Sequence, residues 1–108
     1  MNNFIEYSLI FITVPSLEEA RTIAKTLVEE RLVSSVTTIP SVISTFKFQD
    51  KIEEYSETQI IVKTRSNLFE KLTDRVKQLH SAILPEIIKV RVSEMPPDLM
   101  MWVQDQML

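Results

Sequence analysis

The chain of 108 residues reads as one α+β domain spanning residues 1–108, a βαββαβ sandwich with an extended hairpin between its second and third strands and a short helix at its C-terminus. Three observations predict it. Two stretches carry apolar residues at helical spacing, four others are β-branched and either continuously apolar or alternating, and the two middle strands are much longer than the outer two.

Ser8–Val14 is apolar but for Ser8 and Thr13 and is closed by Pro15, the pattern of a strand buried on both faces. Ser16 and Glu19 form a capping-box pair, after which Ala20, Ile23, Ala24, Leu27 and Val28 predict a helix from Leu17 to Arg31. From Ser34 to Phe48 β-branched residues dominate, and Val42, Ser44, Phe46 and Phe48 alternate with Ile43, Thr45 and Lys47, which predicts a long strand bent near Pro40. Gln49-Asp50 fits a two-residue hairpin turn, since Asp tolerates positive φ better than most residues. The return strand is Lys51–Thr64, with Ile60 and Val62 on one face and Ile61 on the other. Asn67 and Glu70 offer a second helix start, and Leu68, Phe69, Leu72, Val76 and Leu79 make an apolar stripe that ends near His80. After Pro85, Ile88, Val90 and Val92 alternate with Ile87, Lys89 and Arg91, a fourth strand over Glu86–Val92. Pro96-Pro97-Asp98 opens a terminal helix, Leu99 to Gln106, whose Trp102 is expected in core or interface packing.

This order is the ferredoxin-like arrangement, with both main helices on one face of an antiparallel sheet. The first strand is nevertheless apolar on both faces, Leu9 and Phe11 pointing one way and Ile10 and Ile12 the other, so something else must cover the second face. At ~3.3 Å per residue the middle strands reach ~45 Å, well past what a short fourth strand can pair. The overhang carries Phe46, Phe48 and Ile52 and needs a neighbouring subunit. Oligomerisation follows from strand patterning alone.

Composition removes whole classes of function. A net charge of -3 argues against nucleic-acid and anionic-membrane partners, which require a basic footprint. The chain has no cysteine, which excludes thiolate catalysis and Cys-based metal sites, and no glycine, which excludes phosphate loops of the Walker and Rossmann kinds. One histidine excludes any site that takes two imidazoles from one subunit. No nucleophile with a paired base is visible, so a non-enzymatic protein is expected. The opening stretch has no signal-peptide pattern, and a cytoplasmic location is the expectation.

His80 is the natural metal candidate, although its place at a helix C-terminus directly supports a histidine that satisfies a last-turn carbonyl. Glu53, Tyr55, Glu57, Gln59 and Lys63 share one strand face by parity, where carboxylates could hold a cation or form an inter-subunit ion-pair network.

The segment F-K-F-Q-D-K-I-E-E-Y-S-E-T-Q-I-I-V-K-T, residues 46–64, resembles the CutA divalent-cation-tolerance family, whose members carry an aromatic-rich strand, a Gly-Lys-Ile or Gly-Lys-Leu turn, and a Glu six residues before a Lys-Thr pair. Lys51, Ile52, Glu57, Lys63 and Thr64 match, Phe46 and Phe48 stand where Tyr and Trp are usual, and Asp50 replaces the turn glycine. E-E-R-L-V-S-S-V-T-T-I-P resembles the family's Glu-Lys-Leu-Ala-Ala-Cys segment running into Ile-Pro, with Ser35 at the Cys position. In H-S-A-I-L-P-E-I-I, His80, Pro85, Glu86 and Ile87 match the family's His-Pro-Tyr-x-x-Pro-Glu-Ile; Ser81 and Ala82 do not, and Leu99 replaces a usual Tyr.

The resemblance implies a ferredoxin-like homotrimer, similar in architecture to the PII signalling proteins, that acts as a binding or regulatory module in tolerance of divalent cations, notably copper, with no established catalytic activity. It implies inter-subunit clefts lined by Glu57, Lys63, His80 and Glu86, since all four lie on matching positions. Ile12 and Leu79 stand where some members have a Cys and a second His, so a divalent cation such as copper would find only His80 as a soft ligand. The alternative is a PII-like structural or signal-relay trimer that binds a small anionic metabolite or a partner protein without metal.

Overall fold

The computed structural model describes residues 5–107. Its elements are β1 (Tyr7–Val14), α1 (Leu17–Glu29), β2 (Ser35–Phe48), β3 (Lys51–Arg65), α2 (Phe69–Leu79), β4 (Ile87–Arg91) and α3 (Pro97–Asp105), with a 3-10 turn, Ser66–Leu68, leading into α2. The strands form one antiparallel sheet in the order β2-β3-β1-β4. This is the ferredoxin-like α+β arrangement.

The core lies between the sheet and the two main helices. Ile10, Ile12 and Val14 of β1 and Ile60 and Val62 of β3 alternate onto the helix-covered face, where they meet Ala20, Ile23 and Leu27 of α1 and Leu72 and Val76 of α2. Each of these is fully buried, a contribution of roughly 1.5–3 kcal/mol for each large side chain. Residues of the opposite parity fare differently. Leu9, Phe11 and Ile61 are only partly buried, and Ile88 and Val90, their neighbours on β4, are about half exposed. The second face of the sheet is bare in a single chain, as the two-sided apolar pattern of β1 requires.

β1 pairs with β3 only over Thr58–Arg65, so the hairpin formed by Val42–Phe48 and Lys51–Glu57 projects beyond the rest of the sheet. The molecule is accordingly long, 53 × 26 × 22 Å, with a radius of gyration of 15.1 Å where a compact chain of this size would have about 13 Å. Ile43, Phe46, Phe48, Ile52 and Tyr55 are exposed on the projection.

The bend expected near Pro40 is a β-bulge. Ile39 pairs with Gln59 and Val42 with Glu57, so Pro40 and Ser41 together oppose Thr58, and Ser41 takes φ 60. One extra residue reverses parity, which puts Val42, Ser44 and Phe46 on the same face as Glu57 and Tyr55. Phe46 and Tyr55 then meet edge to face at 5.1 Å. The turn is Gln49-Asp50 as expected, with φ 49 and φ 66, the two left-handed residues of a type I′ hairpin turn.

Several boundaries differ from the sequence expectation. α1 stops at Glu29 rather than Arg31, because Arg31 turns left-handed at φ 58 and sends its guanidinium to the carbonyl oxygens of Asp105, Gln106 and Met107 at the C-terminal end of α3. Neither Asn67 nor Glu70 caps α2, which is entered through the 3-10 turn instead. β4 is shorter than Glu86–Val92 and α3 starts two residues early, with Pro97 inside its first turn. α3 seats Val103 against Tyr7 and Met107, whereas Trp102 and Met101 face outward. Trp102 is thus excluded from the core of the chain.

Candidate functional site

Where β1 ends, the loop after α2 swings across the base of the hairpin and the three pieces enclose a cleft of about 850 Å³. Its walls include Thr13, Phe46, Phe48, Tyr55, Glu57, His80, Leu84 and Glu86. This volume lies within the range of small-ligand sites, roughly 300–1,000 Å³.

His80 is the hinge of this loop. Its backbone N–H continues the helical ladder to Val76, and its ring is almost wholly buried. Nδ1 accepts from the backbone N–H of Ala82 at 3.0 Å, which leaves the ring proton on Nε2, 2.7 Å from the Thr13 carbonyl oxygen. That pattern is a neutral imidazole with both nitrogens engaged, which ties the loop to the end of β1. Glu19 Oε2 lies 3.7 Å from Nδ1, too far for a bond, and instead accepts from Ser81 N–H at 2.9 Å. The capping box is therefore only half formed. Ser16 Oγ accepts from Glu19 N–H, while the Glu19 carboxylate, which would have returned to Ser16, holds the loop.

Glu86 is fixed at the other end of the loop. Its backbone carbonyl accepts from Thr13 N–H at 3.3 Å and its Oε1 accepts from Thr13 Oγ1 at 3.2 Å. Glu57 enters from β3, opposite Val42 and just past the bulge. Three of the four expected site residues thus line one cleft within a single chain. Lys63 does not. It lies six residues along β3, ~20 Å away, on the bare sheet face opposite Leu9, with Nζ 3.4 Å from Ser35 Oγ.

The displacement of Lys63 matters chemically, because no lysine or arginine lines the cleft. Its formal charges are the carboxylates of Glu57 and Glu86. No imidazole pairs with a hydroxyl in it, since His80 bonds only to backbone groups. Among the described residues, no group of three or more His, Asp or Glu side chains is placed to enclose a metal ion. The sequence missed Thr13 and Glu19, the two side chains that anchor the loop. Glu19 was legible only as a capping residue, and nothing local to Thr13 points to a partner seventy-three residues away.

A family model described as "CutA1 divalent ion tolerance protein" matches residues 8–106. The chain is 41% identical over 97 residues to the divalent-cation tolerance protein CutA of Thermus thermophilus, covering 90% of this chain and 94% of that one. It is 36% identical over 97 residues to the human protein CutA, covering 90% of this chain and only 54% of that longer relative. Among solved structures, the Thermus thermophilus divalent cation tolerance protein (Cut A1) superposes with a TM-score of 0.89 at 40% identity, over 94% of this chain and 98% of that one. The periplasmic divalent cation tolerance protein CutA of Archaeoglobus fulgidus gives 0.88 at 38% identity, over 93% and 97%.

Proposed function

Since this chain belongs to the CutA1 divalent ion tolerance protein family, we propose that it is a binding or regulatory module of the metal-ion response, working as a homotrimer whose clefts take a cation. The observation that carries this reading is the charge of the cleft within one chain, which presents Glu57 and Glu86 and no lysine or arginine. A PII-like role with a small anionic metabolite would need a cationic counterpart, and within one chain the cleft offers no lysine or arginine.

The donors suit a hard, partly hydrated divalent cation better than copper. Carboxylate oxygens favour Mg²⁺-like ions, and such ions keep water where the protein supplies only one or two ligands. Copper favours imidazole, and His80 could ligate it only by giving up the bond to Ala82 or to Thr13. The ion is read as an effector rather than a resident cofactor, and a binding module rather than a catalyst fits a cleft without a nucleophile and base pair. A cytoplasmic location remains part of the proposal; no helix among the described residues is long and apolar enough to cross a membrane.

Titration calorimetry with Mg²⁺, Zn²⁺ and Cu²⁺ tests this. Binding that is weakened by Glu57→Gln and Glu86→Gln supports it, and the reading fails if no divalent ion binds the wild type below millimolar concentration. Loss of Cu²⁺ binding alone in His80→Ala would place copper at the imidazole instead.

A further inference from the structure

The bare face of the sheet carries opposite charges at its two ends. Residues alternate along β3, so Lys63, Ile61, Gln59 and Glu57 all project on the side of Leu9 and Phe11, away from the core. Lys63 stands opposite Leu9, whereas Glu57 stands just beyond Thr58, where the pairing with β1 stops. The lysine is poorly provided for. It is already partly buried, it lines a cavity of about 150 Å³ with Leu9, Val92, Leu99 and Val103, and its Nζ reaches only Ser35 Oγ, at 3.4 Å. Among the described residues no carboxylate pairs with it. Glu57 is its complement, partly buried and with no side-chain donor among the described residues, whereas Glu86 is held by Thr13. An ammonium group that a second subunit covers needs a carboxylate there, because an unpaired charge is too costly to bury.

We infer that the partner subunit's Lys63 enters each cleft and pairs with Glu57, so that a cation binding there must displace an ammonium group of the protein itself. The inference rests on the reading of the protein as a homotrimer whose clefts take a cation, and adds what regulates that binding. Two features select Glu57. In a ring closed by a three-fold axis the contacts run head to tail, so each chain gives one end of its face to one neighbour and the other end to the next. Opposite charges at those ends then meet across every boundary. Of the carboxylates on the projecting part of β3, Glu57 is nearest the apolar patch, since Glu53 lies four residues further out and Glu54 points to the other face. Two carboxylates against one ammonium leave the cleft negative, so a cation is still the ligand it favours. Cation binding and subunit contact are thereby coupled, because an ion that takes Glu57 frees a lysine at the boundary. Within one chain the lysine has no such influence, being ~20 Å away along β3 when charges in water are screened over about 8 Å.

The test uses the full-length protein at physiological ionic strength and has two readouts. In calorimetry with Mg²⁺ and Zn²⁺, Lys63→Met, which keeps the apolar stem and removes the charge, is expected to tighten binding about tenfold. The second readout needs no metal. With divalent ions chelated, dissociation of the trimer in urea is followed by light scattering, and Lys63→Glu and Glu57→Lys are each expected to lower its midpoint. The double variant Glu57→Lys/Lys63→Glu should recover most of that loss, since each boundary again joins opposite charges. A circular dichroism spectrum like that of the wild type confirms that the single variants fold. Wild-type divalent affinity in Lys63→Met overturns the inference, as does a double variant no stronger than the two single losses combined. Divalent binding without recovery in the double variant overturns the pairing and leaves the metal reading standing. Recovery without any divalent binding sustains the pairing and removes the metal reading together with the displacement that depends on it. A wild-type mass of one chain removes the trimer and the inference with it.

Discussion

Among the described residues of this glycine-free chain, Arg31, Ser41, Gln49 and Asp50 sit in the left-handed region, and each carries a cost that glycine would avoid. At Asp50 nothing else constrains the residue, for it is an exposed turn position whose side chain makes no hydrogen bond among the described residues. Asp50→Gly is therefore expected to raise stability by about 0.5–1 kcal/mol, read as a higher midpoint in urea with an unchanged slope. Arg31 has the same backbone but a different reason for it. Its guanidinium satisfies carbonyl groups left open where α3 ends, so the residue trades local strain for a clasp between the end of α1 and the C-terminal segment. Arg31→Ala keeps the strain and loses the clasp, and should cost about 1–2 kcal/mol, whereas Arg31→Gly loses both and should lie nearer the wild type. An Arg31→Ala variant as stable as the wild type in urea unfolding would show that the clasp contributes nothing, and an Arg31→Gly variant less stable than Arg31→Ala would show that the left-handed backbone carries no strain.

At the scale of elements, α1 and α2 are strapped together outside the core. Arg75 donates from Nε and Nη2 to the carboxylate of Glu30, and this hydrogen bonding, with the guanidinium charge behind it, holds the Glu30 carboxyl below its ordinary value. A carboxyl whose folded-state pKa is depressed contributes stability above its unfolded value and loses it as pH falls through the folded one. Glu30→Gln should therefore be less stable than the wild type at pH 7, and the gap should close as pH drops below 4.5. Urea unfolding at several pH values checks this, and a gap independent of pH would refute the ion-pair account. The strap was invisible in the sequence because its partners lie forty-five residues apart. The strands, the turn and both main helices were legible, since each rests on a local period or a capping pattern, such as the alternation of Ile10 and Ile12 with Leu9 and Phe11. The bend at Pro40 was legible too, but not its effect on parity, because a bulge is a property of pairing and not of one strand. The same limit governs the cleft. Glu57, His80 and Glu86 were singled out by matching positions, yet only tertiary structure sets Lys63 apart from them within one chain, and only the bulge puts Phe46 on the face of Glu57.

The proposed homotrimer answers to the apolar surface that a single chain leaves in water. Ile88 and Val90 stand half exposed beside Leu9, Phe11 and Ile61 on the bare sheet face, Ile43 and Ile52 are exposed on the projecting hairpin, and Leu99, Met101 and Trp102 form an outer face of α3. Isolated exposed hydrophobic residues are ordinary, but a sheet face with no covering layer is not, since a two-layer domain hides its sheet on the side that its helices protect and must hide the other against something. Another copy of the chain answers this need with the surfaces already present, and it would also take up the unpaired hairpin, which otherwise offers long strand edges for uncontrolled association. Sedimentation equilibrium is expected to give about three times the chain mass of 12.6 kDa for the wild type. Ile88→Glu, which places a charge in the middle of the bare face without touching the helix-covered core, should lower that mass toward one chain while the far-ultraviolet circular dichroism stays unchanged. A wild-type mass of one chain would sink the trimer. A trimer undisturbed by Ile88→Glu would mean that the sheet face is not the contact, leaving the hairpin and α3 to hold the subunits, because a carboxylate cannot be buried in an apolar interface without a partner at a cost the assembly would fail to register.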